Sequence, residues 1–360
     1  MTENKISVRQ ICLMFLAFST SAKMIFAASV TAKYSQHLLW VSALINFAFD
    51  GVLIFMALKI SEIFPNKTFF EILADNLSPT VAKTIFFIYG ILFFLKAFIP
   101  IHEQKLFVEI SLYETFPKII TFTPFFLFSA YFSFKGIKGI ARCSEIIVWF
   151  TLAALPALIA LAIPNTDFSE LLPLFKGVSL HSVGEGSFKT GIWYFDGLYA
   201  FMLIGKFKKE KYAKTKILLA FAASAILIIA YMASLYAEYG KLTERQFFAP
   251  VKIGLLSVAL LNIGRVDYIS ALLATVSNVF ASALPLVFST YCFGKIFNFK
   301  NKATLAFSVN FLMFLAVSAT KDSFTVIFNI FQNYYAFFAV FMSAVIPVTV
   351  FFLKKGKVKR

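Results

Sequence analysis

Residues Phe18–Ala27 read FSTSAKMIFA and lie inside the first long apolar run of the chain. They place a lysine, Lys23, and three consecutive hydroxyl residues, Ser19, Thr20 and Ser21, where a membrane helix would cross the middle of the bilayer. A charge at that depth costs at least about 2.5–3.5 kcal/mol on insertion scales and normally faces a cavity or a partner. Either this span is interrupted and lines a site, or its hydroxyls bond back onto an intact helix.

Working outward, the setting is a membrane. Of 360 residues 60% are hydrophobic and only 14% charged, where a soluble domain has about a quarter charged. Ten apolar runs are long enough to be read as spans. They are Ile11–Ala32, Leu38–Leu58, Val81–Ile101, Ile119–Phe134, Ile140–Ile163, Phe188–Phe207, Ile217–Tyr236, Tyr268–Phe293, Ala303–Ala319 and Phe324–Leu353. The third is expected to run on as a helix through HEQKLFVEI (His102–Ile110), where charged residues recur on one side. The polar start MTENKISVRQ precedes a long run without an A-x-A site, so the first helix is expected to be uncleaved. The expected fold class is therefore an all-α polytopic membrane protein, a single transmembrane domain over residues 1–360 with short cytoplasmic tails.

Sidedness follows from the basic residues. With the N-terminus inside, 22 of the 34 lysines and arginines fall on inside segments and 10 on outside ones, the other two being Lys23 and Lys96. The positive-inside rule then puts both ends in the cytoplasm. The same asymmetry accounts for the net charge of +16 without nucleic acid. Of the longer loops, Pro164–Gly186 and Glu238–Asp267 are expected outside. The apolar stretch Val251–Ile263 is too short to span and is read as lying on or re-entering the membrane surface. Inside, Ser61–Leu77 contains TFFEILADNL, readable as a short amphipathic helix.

Ten spans divide into five and five. An odd number per half gives the halves opposite orientation, the arithmetic of an inverted repeat, here 7–163 and 187–353. Such folds break the first helix of each half at the midplane, where unwound backbone and half-helix ends bind substrate. The second expected break is GIWYFDGLYA (Gly191–Ala200), with Asp196 and Gly197 near its middle. A half-helix N-terminus favours a carboxylate, and freed carbonyls favour an ammonium or cation. An amino acid carries both groups.

Four ionisable residues thus lie within spans: Lys23, Asp50, Lys96 and Asp196. Lys23 and Asp196 are read either as a ligand site at the crossing of the two breaks or as a structural ion pair. Asp50 and Lys96 are expected to pair structurally between spans two and three. Ser19, Thr20 and Ser21 would line the first break, and Trp193 and Tyr194 would cover a ligand. Glu145 is expected to pair with Arg142, and Arg265 with Asp267. No metal spacing, Ser/His/Asp set or Cys/His pair is visible; Cys12, Cys143 and Cys292 are scattered, so neither a disulfide framework, a cofactor nor an enzyme is expected.

Four segments carry a resemblance. KISVRQ (Lys5–Gln10), KGIKGIARCSEI (Lys135–Ile146), ELLPLFKG (Glu170–Gly177) and APVKIGLLSVALLNIGRVDYISALLATVSNVF (Ala249–Phe280) occur in the order and spacing of the spore germination B subunits. That family of endospore germination permeases belongs to the amino acid–polyamine–organocation superfamily. The resemblance implies a five-plus-five bundle in the spore inner membrane. It also implies a germinant-receptor subunit that recognises a small ligand, commonly an amino acid, beside an A-type membrane protein and a lipoprotein. The alternatives are an amino acid permease, proton-coupled or sodium-independent, and a non-binding structural subunit. Two departures stand out: the first span lacks the family's usual Gly and Pro, and Val251 follows Pro250 where a hydroxyl is usual.

Overall fold

Apolar side chains cover this chain on all faces of its helices, and they sort into an inner core and an outer belt. The computed structural model describes residues 5–111, 118–173, 177–208, 210–256, 266–297, 301–320 and 323–350. Within it Met14, Phe93, Leu155, Leu198 and Met232 are fully buried, while Leu127, Trp149, Ile226 and Phe337 are more than 60% exposed. An exposed belt of that kind is what a lipid-facing surface requires, and the chain is a polytopic helical membrane protein.

The first break is present. Helix α1 (Val8–Ser21) starts with a capping box, in which Ser7 and Gln10 satisfy each other's backbone N–H groups. It stops at Ser21, and α2 (Ala27–Ser35) begins after a gap of five residues. No Gly or Pro causes this. Thr20 Oγ1 donates to the carbonyls of Leu16 and Ala17, and Ser21 Oγ donates to Ala17 O at 2.6 Å. Hydroxyls compete with the helical ladder for these acceptors. The chain then tightens, with Lys23 N donating to Thr20 O and Met24 N to Ser21 O, before it turns away.

Helix α3 (Leu39–Ile63) and the short α4 (Phe69–Asn76) follow, the latter opened by a Thr68–Glu71 capping box. Helix α5 (Pro79–Ser111) does run on through His102–Ile110, as its charge pattern suggests. Helix α6 (Lys118–Ala162) joins the fourth and fifth expected spans without an intervening loop. Its bend is at Gly136, whose φ of +68° lies where residues with a Cβ are strained.

The sixth span is likewise broken: α7 (Leu180–Lys189), a single 3₁₀ turn at Gly191–Trp193, and α8 (Gly197–Leu203). Between them Phe195 has a φ of +58°, an uncommon state for an aromatic residue that the packing on both sides must hold. The remaining helices are α9 (Ala213–Tyr239), α10 (Ala249–Leu256), α11 (Val266–Phe297), α12 (Lys302–Ala319) and α13 (Phe324–Val340). Helix α13 continues through one π turn at Phe341–Val345. Helix α10 forms from the start of the short apolar stretch; the rest of that stretch and the expected Arg265–Asp267 pair lie outside the described residues.

Among the described residues, seven helical stretches are long and apolar enough to cross a membrane, not ten. The difference has a physical cause. Spans one and six are each cut into pieces too short to count, and spans four and five follow each other across the kink at Gly136 with no loop between them.

Contacts sort the loops into two ends. At one end Ile6 N donates to Lys206 O, Lys208 N to Ile6 O, and Lys5 Nζ to Asn66 Oδ1. Arg9 and Gln10 there bond to Glu145, which therefore does not take Arg142 as expected; α1 packs beside α6 and presents the nearer donors. At the other end Ser29 Oγ donates to Gln246 O, Ser42 Oγ to Val183 O and Asp167 N to Ala237 O.

Candidate functional site

The two breaks face each other inside the bundle. Lys23, from the gap after α1, puts Nζ 2.7 Å from Asp196 Oδ2, in the residue that precedes α8. The side chains are 0% and 1% exposed, so the pair is fully desolvated. Lys23 Nζ also lies 5.3 Å from the Phe47 ring centre and 4.9 Å from that of Tyr194, so aromatic faces supply part of its lost hydration.

The other two intramembrane charges join this centre, but not as a pair with each other. Lys96, near the middle of α5, places Nζ 3.7 Å from Asp196 Oδ1. It donates to the carbonyls of Ile192 and Tyr194, which the unwinding of span six has freed. Asp50, on α3, instead accepts the Gly197 N–H at 2.8 Å on Oδ1, at the positive end of α8. The expected Asp50–Lys96 pair does not form, because the broken helix offers each residue a backbone partner that a continuous helix would have hidden. Gly197 itself is required by closeness: a Cβ there would lie 2.4 Å from Leu53 Cβ and 3.1 Å from Asp50 O.

Two positive and two negative side chains thus share one buried centre, formally neutral as a set. Several acceptors in it remain open. Asp50 Oδ2 and Asp196 Oδ1 are buried without a hydrogen-bond partner, the latter facing Lys96 Nζ at 3.7 Å, and on α1 Ser19 Oγ is likewise buried and unbonded. On the first break Met24 O is taken by the Tyr231 hydroxyl at 2.9 Å.

Of the residues expected to line the site, Lys23, Tyr194, Asp196 and Gly197 come together. Thr20 and Ser21 bond back to α1, and Ser21 Oγ also lies 3.1 Å from Thr151 Oγ1 of α6. Trp193 points elsewhere, donating its indole N–H to Glu103 Oε1 at 2.7 Å. Phe47, Tyr199 and Tyr231 belong to the surroundings of the site, and Glu103 holds Trp193 to α5; none of the four is marked as a site residue by the sequence. Glu103 alone carried a signal, as one of the charges recurring along His102–Ile110. The ring of Tyr199 packs on Phe93, Phe18 and Phe288 beneath Lys96, and nothing in its local pattern separates it from ordinary core.

An all-helical membrane bundle with two interrupted helices and a desolvated charge cluster between them has the build of a permease-type protein. Residues 5–326 match the profile of the spore germination protein family, the spore permeases, and the chain belongs to that family. It is also similar to the spore germination protein KB of Bacillus subtilis (strain 168), 27% identical over 191 residues, which are 51% of this chain and 50% of that protein. The chain thus aligns with about half the length of the curated relative it matches.

Proposed function

We propose that this chain is the integral-membrane subunit of a nutrient germinant receptor and recognises a small germinant, by class an amino acid, between the two breaks. The observation that carries the reading is the Lys23–Asp196 contact at 2.7 Å, one residue from each break, with both side chains buried. A zwitterion is the ligand whose chemistry fits. Its ammonium takes the Asp196 carboxylate and its carboxylate takes the Lys23 ammonium, so a neutral ligand enters a neutral cluster and leaves no charge unpaired. Exchange of an internal ion pair for two ligand-borne ones favours a second arrangement of α1–α2 and α7–α8, which partner subunits can read. Those partners are an A-type membrane protein and a lipoprotein, as family membership suggests.

The architecture that goes with this reading is ten crossings in two inverted sets, 7–163 and 187–353, with the basic end in the cytoplasm of the spore inner membrane. The 44-residue stretch Phe122–Asn165 supports the count: at 1.5 Å per residue it is about 66 Å long, twice a bilayer core, and must cross twice around Gly136.

A second reading, a structural subunit that binds nothing, draws on the fact that Lys23 already holds Asp196 and is packed against two aromatic rings. Thermal unfolding of the purified full chain against each of the twenty amino acids separates the two. The receptor reading expects at least one to raise Tm in wild type and not in Asp196→Asn. No shift with any of them favours the structural subunit, whereas accumulation of the ligand in proteoliposomes favours a permease.

A further inference from the structure

The end of the bundle that carries the N-terminal segment contains a basic cavity, which shares no lining residue with the charge cluster. It has a volume of about 420 Å³ and lies between the bend of α6, the end of α8, α11 and the start of α12. Among the described residues, four lysines line it, Lys135, Lys206, Lys295 and Lys302, of which Lys206 also lies over the Tyr291 ring, and no carboxylate does. A smaller cavity of about 230 Å³ shares Lys135 and Lys206 and adds Lys5 and Lys138.

Concentrating cations without acids is unfavourable through their mutual repulsion. The surface salt bridges of the same end show that acids are at hand: Lys67 pairs with Asp75, Lys59 with Glu62 and Lys216 with Glu210. None of those acids lines this cavity. Two features make it more than a solvated basic face. Thr290 on α11 lines it, is 7% exposed, and its Oγ1 has no hydrogen-bond partner. Gly136 also lines it, and its non-helical φ of +68° opens a new helical limb, whose N-terminal end carries positive dipole charge. The start of α12, at Lys302, adds a second such end.

We infer that this cavity is a binding site for a phosphate-bearing anion, with the lysines neutralising the charge and Thr290 donating its hydroxyl hydrogen to a phosphate oxygen. Placed at a membrane surface between helices, it has the make-up of a phospholipid headgroup site. Because its walls come from α6, α8, α11 and α12, occupancy ties both halves of the chain together at that end.

The test uses the full chain in nanodiscs, with binding read by native mass spectrometry. One arm contains phosphatidylglycerol in phosphatidylcholine, and a second contains phosphatidylcholine alone plus inorganic phosphate. Wild type is expected to retain phosphatidylglycerol, and each of Lys135→Gln, Lys295→Gln and Lys302→Gln to weaken retention by about fivefold, as a lysine at an anionic surface contributes. Thr290→Val, close in shape, is expected to weaken it without lowering Tm. A control triple, Lys83→Gln with Lys211→Gln and Lys214→Gln, removes equal charge at the same end outside the cavity and is expected to leave retention near wild type. Retention of phosphate alone assigns the site to the free anion rather than the lipid. A loss of retention in the control triple as large as that in the single cavity variants overturns the inference, as does failure of wild type to hold either probe.

Discussion

Lys23 Nζ and Asp196 Oδ2 stand 2.7 Å apart although 173 residues separate them in the chain, and each belongs to a stretch where a membrane helix has come undone. The pair needs both interruptions. Were either helix continuous, its residue would sit on a regular helical face and the freed carbonyls of Ile192 and Tyr194 would be consumed within the helix.

Removing one partner of that pair leaves a buried charge. Lys23→Met is expected to destabilise the protein by about 3–5 kcal/mol, the usual consequence of orphaning one member of a buried pair. Lys23→Met combined with Asp196→Leu is expected to recover more than half of that loss. Unfolding in detergent micelles by heat and denaturant, arranged as a double-mutant cycle, measures the coupling. A cycle with no coupling contradicts the pairing.

Asp50 acts as a cap for a broken helix. Asp50→Asn keeps an oxygen for the Gly197 N–H and removes a charge whose second oxygen has no partner. Its Tm is expected to stay within a few degrees of wild type. Asp50→Leu leaves that N–H buried and unpaired, at a cost of about 1–3 kcal/mol. The order of the two variants, Asn above Leu in Tm, is the result to check.

Gly197 is set by space rather than by backbone angle. Gly197→Ala forces a methyl against Leu53 and is expected to cost about 1–3 kcal/mol by overpacking. Leu53→Ala in the same chain is expected to relieve part of the clash, so the double variant should be more stable than the sum of the two single losses.

Trp193 secures the 3₁₀ turn to α5 through Glu103. Trp193→Phe keeps most of the ring but deprives Glu103 Oε1 of its donor, at about 1–3 kcal/mol. Glu103→Gln retains an acceptor and is expected to be much milder. Parallel Tm measurements on the two variants test whether the contact or the ring area matters.

Most of this was legible from the residues. Lysine and aspartate in apolar runs are expensive enough to imply partners, and the chain supplied two of each. The Lys23–Asp196 proximity followed from placing both at the first helix of each half. What the pattern hid was backbone chemistry. Asp50 and Lys96 look like a pair when only side chains are counted. The break at Phe195, however, exposes an N–H and two carbonyls that outcompete them. Ser19, Thr20 and Ser21 could equally line a break or bond back within an intact helix; Thr20 and Ser21 bond back, onto the carbonyls of Leu16 and Ala17, and α1 ends at Ser21. Trp193 points away because the turn before Tyr194 rotates it toward α5, an orientation that spacing alone does not encode. Seven apolar stretches rather than ten reflect the same effect, since breaks at Lys23 and Phe195 and a loopless kink at Gly136 redraw the boundaries.

In the proposed function a zwitterionic ligand exchanges with the Lys23–Asp196 pair. The most direct test of that exchange is isothermal titration of the purified full chain with an amino acid that raises its Tm, beside the matching amine without the carboxylate and the matching acid without the ammonium. The account predicts saturable binding of the amino acid, at least about tenfold weaker binding of each analogue, since each forgoes a charged hydrogen bond of about 1.5–3 kcal/mol, and loss of binding in Asp196→Asn. Equal binding of all three compounds, or unchanged binding by Asp196→Asn, would contradict it.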